Sequence, residues 1–113
     1  MNIEITTTRK MEITPAIRGY IEKKLSAFNK FMGKGKEDII VRVEVGKISN
    51  RHKKGDVFKA EVSFKFEKKS LYAVSEQADL YAAVDDVKDE ILSEIKKIKG
   101  KKESAVKRTP KKR

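Results

Sequence analysis

Two stretches in the middle of the chain alternate between apolar and polar residues. In IIVRVEV, Val41, Val43 and Val45 fall at every second position with Arg42 and Glu44 between them. FKAEVSFKF repeats the rhythm with Phe58, Ala60, Val62, Phe64 and Phe66. A period of two is what a half-buried strand requires, one face on a core and the other in water. The polar, Gly-containing KISNRHKKGD lies between the two stretches, so an antiparallel hairpin is the economical connection. A further short strand is expected around Leu71 to Ser75, extending the meander.

The flanks change period. NIEITTTR still alternates, with Ile3, Ile5 and Thr7 against Asn2, Glu4 and Thr6, and reads as a first strand. EITPAIR then starts a helix, with Thr14 as N-cap and Pro15 at the first helical position, where its missing N–H is harmless. Ile17, Ile21, Leu25, Phe28 and Met32 follow at spacings of three or four and mark one buried face, and Gly33 and Gly35 stop the helix. At the other end Asp79 caps a long helix with Leu80, Val84, Val87, Ile91, Ile95 and Ile98 on one side. Two singly striped helices and four strands give an α+β fold in two layers, β-α-β-β-β-α, with both helices packed on one face of a four-stranded sheet.

At 113 residues the chain accommodates one domain. Its charge is uneven. Residues 100–113, GKKESAVKRTPKKR, hold seven basic residues and one acidic, hence +6, and the first 99 hold 21 and 16, hence +5. The reading is a folded domain over 1–99 and a basic tail over 100–113, disordered when free because it has too little apolar surface to offset its ordering entropy. A formal net charge of +11 points to a polyanionic partner, nucleic acid or an anionic membrane surface. The chain has no cysteine, which excludes disulfides and thiolate metal sites and fits a reducing compartment. No apolar run approaches the roughly 20 residues that span a bilayer, and MNIEITTTRK lacks the apolar core of a secretory signal.

Catalytic and metal-binding patterns are missing from the sequence. His52 is the single histidine, in a loop among cations, and GKGKED lacks the spacing of a phosphate loop and follows a helix instead of opening one. Asp85, Asp86 and Asp89 fall on a helical wheel opposite Leu80, Val84, Val87 and Ile91, so they read as an exposed acidic ridge, a poor active site and a surface that repels phosphate. Asp79, Asp85 and Asp86 near the start of that helix and Lys96, Lys97 and Lys99 near its end suit the helix macrodipole. A polyanion should therefore meet the end of the last helix, the outer face of the first, with Lys23, Lys24 and Lys30, or the RHKK loop. No enzyme, cofactor, metal or small-molecule substrate is expected.

MNIEITTTRKMEITPAIRGYIEKKL and ADLYAAVDDVKDEILSEIKKIKGK resemble the ribosome hibernation-promoting factor family, also called ribosome-associated inhibitors or sigma-modulation proteins. The resemblance covers residues 1 to about 100 and is carried by the pair EITPAIR and DLYAAVD. It implies the same β-α-β-β-β-α fold and a monomeric bacterial cytoplasmic protein of the short form, without the second domain of long members. It also implies binding to the small ribosomal subunit and its ribosomal RNA near the decoding centre, where messenger and transfer RNA are blocked under stress. The RNA-binding residues carried over are Arg18, Lys23, Lys24 and Lys30 on the first helix and Lys96, Lys97 and Lys99 on the last, together with Lys88 and the loop residues Arg51, Lys53 and Lys54. Ala27, Glu90 and Ser93 stand where basic residues are usual in the family, and Glu94 where Gln is usual. Tyr81 belongs to the motif and reads as packing, not as a base-stacking platform. Two rival functions follow from charge and from the family's second name: a general binder of structured RNA or duplexes, and a protein-interaction modulator of transcription.

Overall fold

The computed structural model describes residues 1–8, 11–32, 39–48, 55 and 57–107, and the side chains of the last stretch as far as Gly100. Element order is β1 (Asn2–Thr7), α1 (Pro15–Leu25), a 3-10 segment (Ser26–Phe31), β2 (Ile40–Ile48), β3 (Val57–Phe66), β4 (Lys69–Gln77) and α2 (Leu80–Lys107). The four strands form one sheet in the order β1-β2-β3-β4. β1 and β2 run parallel across the α1 crossover, pairing Ile3 with Val41 and Ile5 with Val43. The other two pairs are antiparallel, with Val43 against Val62 and Phe64 against Leu71.

Alternation sends one set of strand side chains to a single face. Val41, Val43, Val45, Ala60, Val62, Phe64, Phe66, Leu71 and Ala73 form one buried cluster with Ile21, Leu25 and Phe28 and with the α2 stripe from Leu80 to Ile95. Both helices therefore lie on that face. Phe28 and Phe64 stack with ring centroids 5.8 Å apart, joining the end of the first helical stretch to the sheet. The opposite face carries Glu4, Arg42, Glu44, Glu61, Ser63 and Tyr72 around a concavity of about 230 Å³.

The caps follow the sequence. Thr14 is extended and its hydroxyl accepts from the Ile17 N–H at 3.1 Å, with Pro15 behind it. The Asp79 carboxylate accepts from the Tyr81 N–H at 3.1 Å. Beyond α1 the chain tightens. The stripe expected to continue as α-helix to Met32 is instead a 3-10 turn from Ser26, whose hydroxyl donates to the Lys23 carbonyl at 2.6 Å. Three residues per turn brings Leu25, Phe28 and Phe31 into line, so Phe28 stays fully buried with different winding. Residues Gly33 and Gly35, read as the helix stop, lie outside the described residues.

Three features depart from the expected pattern. β4 is longer than the short strand expected, and it joins β3 through a two-residue loop, Glu67 and Lys68, both at positive φ (52° and 71°). The α2 backbone passes through Gly100 to Lys107, into the segment set apart as a tail, because Lys, Glu and Ala are good helix formers and a single Gly costs only about 1 kcal/mol. Residues 108–113 lie outside the described residues. Finally, Gly46 is buried in β2 because β1 continues past its end: the Thr8 N–H donates to the Val45 carbonyl at 3.0 Å, and a Cβ on Gly46 would fall 1.6 Å from the Thr8 hydroxyl.

Candidate nucleic-acid interface

Topology sorts the charges between the two ends of the domain. The starts of β1 and β2 and the end of β3 share one end, where the Asn2 N–H donates to the Ile39 carbonyl at 2.8 Å. The 3-10 segment reaches the same end through Phe28 and Phe64. So does the late part of α2, where the Lys99 ammonium lies 3.6 Å from the Glu67 carboxylate of the β3–β4 loop and 5.9 Å from the Phe66 ring centroid. Lys30, Lys96 and Lys97 are exposed on this half of the helix layer, and Lys23 is exposed on α1 beside Lys24, which reaches Asp85. The start of α2, with Asp79, Asp85 and Asp86, belongs to the opposite half, beside the end of β4. Arg51, Lys53 and Lys54 fall between Ile48 and Val57, which pair at that opposite end, and lie outside the described residues.

The acidic residues of α2 do not form the single outward ridge that a helical wheel suggests. Asp85 points to α1: its Oδ1 accepts from the Tyr20 hydroxyl at 2.6 Å and lies 3.5 Å from the Lys24 ammonium. Tyr20 in turn meets Tyr81 edge-on at 4.5 Å, and Lys24 sits 5.5 Å from the Tyr20 ring centroid. The Asp85 hydrogen bond is the main cause of a Tyr20 phenol pushed up to about 12, with burial and the Asp85 and Asp79 charges adding to it. Asp86 points the other way, accepting from Ser75 Oγ and Gln77 Nε2 of β4, each at 2.7 Å. A wheel drawn for one helix shows angles but not neighbours, and the two flanks it calls outer are the two flanks against which α1 and β4 stand. Asp89 is exposed without a hydrogen bond or ion pair to the described residues of α1 or β4, paired with the Lys88 ammonium at 3.1 Å.

The basic residues divide accordingly. Lys23 and Lys96 are exposed and form no ion pair with any described residue. Lys30 is exposed beside the Phe31 ring, 5.7 Å from its centroid. Lys97 is exposed, 3.6 Å from Glu94, and Arg18 is 3.9 Å from Glu22; both are surface pairs within one helix, worth a few tenths of a kcal/mol. Lys24 and Lys99 are committed to Asp85 and Glu67. Lys88 is largely covered, with 21% of its side chain exposed. Because α2 continues to Lys107, Lys96, Lys97 and Lys99 lie about two turns or more before its end, outside the reach of a terminal dipole. Their placement is left without a helix-capping role.

Sequence reasoning passed over Lys65, Lys68 and Lys69, which are exposed around the β3–β4 loop at the same end as the late part of α2. One signal was available. Inward positions are even through Phe66 and odd from Leu71 onward, and that change of phase requires a loop of an even number of residues, which Glu67-Lys68 supplies.

Around the concavity of the open sheet face the charges pair with one another. Arg42 lies 3.7 Å from Glu4, and Glu61 accepts from the Tyr72 hydroxyl at 2.6 Å and lies 3.6 Å from Lys59. The Tyr72 hydrogen bond holds the Glu61 carboxyl below its ordinary value, against the opposing effect of burial and with help from Lys59 and a hydrogen bond with Glu44. The same bond raises the Tyr72 phenol. At about 230 Å³ that concavity is smaller than ordinary ligand pockets. Among the described residues no grouping of carboxylates and imidazoles suits a metal ion, and no helix is long and apolar enough to cross a membrane.

Residues 4–103 match the family model described as sigma 54 modulation protein / S30EA ribosomal protein. Among solved structures, the N-terminal domain of Protein Y from Thermus thermophilus is similar with a TM-score of 0.70 and 30% identity, over 87% of this chain and 99% of that one. A ribosomal subunit interface protein from Coxiella burnetii shares the fold at a TM-score of 0.67 and 22% identity, over 88% of this chain and 99% of that one. Nearly the whole described domain, including both helices and the sheet they cover, is spanned by these likenesses, and the chain belongs to the sigma 54 modulation protein / S30EA ribosomal protein family.

Proposed function

We propose that this protein is a ribosome hibernation factor. It binds the small ribosomal subunit near the decoding centre through ribosomal RNA, and by filling the path of messenger and transfer RNA it silences translation under stress. The observation that carries the reading is the split of charge on the helix layer. Lys30, Lys96 and Lys97 remain exposed on one half, while Asp85 and Asp86 are held by α1 and β4 on the other. Family membership and the likeness to Protein Y support the ribosome as the partner.

Each exposed lysine that meets a phosphate releases counterions, so binding weakens with salt by a log–log slope of about 0.7 to 0.9 per neutralised phosphate. The RNA is read by its folded shape. Phe28, Phe64 and Phe66 are buried, and Tyr20 and Tyr81 are packed on each other, so the described helix layer offers no row of stacking platforms. The family is non-enzymatic, and steric occupation needs no chemistry. Residues 100–113 supply a further basic arm that follows phosphates once the domain is seated. The protein acts as a cytoplasmic monomer.

The test is a cell-free translation assay paired with competition for vacant small subunits. Stoichiometric inhibition, relieved by excess initiator transfer RNA with message, is the expected result. Binding that the competitors leave untouched would remove the blocking mechanism, and inhibition of an unrelated RNA-dependent reaction to the same degree would favour a general RNA binder.

A further inference from the structure

The loop joining β3 and β4 is built at the expense of backbone ease. Glu67 and Lys68 are the two described residues other than glycine with positive φ, 52° and 71°. Two-residue hairpin loops of this hand favour Asn-Gly, because a Cβ is crowded in the left-handed region. Glu67 is committed to the fold: its carboxylate lies 3.6 Å from the Lys99 ammonium and has 18% of its side chain exposed. That contact ties the loop to α2 and takes out the one negative charge in FKFEKKS.

What remains is a cationic hairpin end. Lys65, Lys68 and Lys69 are all exposed and form no ion pair with any described residue. They point in different directions. Lys65 pairs across the ladder with Ser70 and lies at the alternate position to Phe64 and Phe66, hence on the open sheet side; Lys69 pairs with Phe66 on the helix side; Lys68 is at the tip. None belongs to a helix, so helix-dipole complementarity does not explain them. The late part of α2, with exposed Lys96 and Lys97, stands at the same end.

We propose that this hairpin end is a second phosphate-binding surface, in which Lys65, Lys68 and Lys69 grip an RNA backbone segment beyond the one met by the helix layer. The inference rests on the RNA-binding reading above and adds a surface to it. Lys68 keeps a cation at the tip of a loop whose backbone would sit more easily with glycine. A domain gripped on its helix layer and at its hairpin end is fixed in orientation as well as position, as a plug requires.

The experiment compares wild type, K68G and the triple variant K65S/K68G/K69S for binding to vacant small subunits over a range of salt, with thermal unfolding of each. Glycine accepts φ 71° freely, so K68G is expected to melt at or above the wild-type temperature while its salt slope falls by about 0.7 to 0.9, and the triple variant's by about two or more. Higher stability with weaker binding separates a lost contact from a damaged fold. A triple variant with the wild-type slope would overturn the second surface alone, and so would an unchanged slope accompanied by self-association, which would make these lysines guards of the β4 edge. Failure of the wild type itself to bind subunits would overturn the RNA reading and this inference with it.

Discussion

Asp85 is the point at which the acidic stretch of α2 becomes structural, and D85A should show it. The substitution removes the acceptor of the Tyr20 hydroxyl at 2.6 Å and the partner of Lys24 at 3.5 Å. A hydrogen bond to a charged group is worth about 1.5–3 kcal/mol, and a partly exposed ion pair about 0.2–1 kcal/mol. With 43% of the Asp85 side chain exposed, the lower part of both ranges applies, giving a loss of about 1.5–2 kcal/mol. Y20F removes the same hydrogen bond but keeps the edge-on contact with Tyr81, and should cost about 1–1.5 kcal/mol. Because the two changes break one bond, the double variant should cost well under their sum, with a coupling of about 1 kcal/mol measured by urea unfolding. There is a pH signature as well. Asp85 raises Tyr20 from 10.0 to about 12, favouring the neutral phenol in the fold. Its contribution is therefore complete below pH 10 and is lost as pH rises toward 12, so wild type should lose more stability than Y20F across that window. Additive single-variant losses, or the same alkaline loss in Y20F as in wild type, would refute the Tyr20–Asp85 contact as the tie between the helices.

Other substitutions test the frame that holds the site. G46A should destabilise by about 1–3 kcal/mol despite the usual gain from removing a strand glycine, because the new Cβ meets Thr8 Oγ1 at 1.6 Å and Thr8 Cβ at 3.0 Å; T8G should recover most of the loss in a thermal melt. I91A empties a fully buried position in the α2 stripe and should cost about 2–5 kcal/mol by chemical denaturation. Y72F removes the largest influence holding Glu61 down, whose stabilising effect is present above the ordinary carboxyl pKa and lost as pH falls through its lowered value; acid unfolding should accordingly depend less on pH in the variant.

The strands and both helix starts were legible because each rests on a local rule. Val41 to Val45 and Phe58 to Phe66 alternate, Thr14-Pro15 and Asp79 are caps, and Leu80 to Ile95 repeats at helical spacing. What the sequence hid depends on neighbours distant in the chain. Leu25 and Phe28, three apart, suit α and 3-10 winding alike, and Met32 continues the α spacing, so the change at Ser26 has no pattern of its own. The orientation of Asp85 and Asp86 needs the positions of α1 and β4. The β3–β4 loop carries neither Gly nor Asn, so turn chemistry gave no sign of it, although the phase of the alternation did. For the interface, the exposure of Lys23, Lys30, Lys96 and Lys97 follows from helical spacing, whereas the commitment of Lys24 to Asp85 and of Lys99 to Glu67 requires the fold.

The most direct measurement is the affinity of the purified protein for vacant small ribosomal subunits and for naked duplex RNA, each at two salt concentrations. Stoichiometric, salt-sensitive binding to subunits that exceeds binding to duplex by orders of magnitude is expected of a factor shaped for one ribosomal site. Equal affinity for both would contradict it, leaving a basic domain that binds RNA by charge alone.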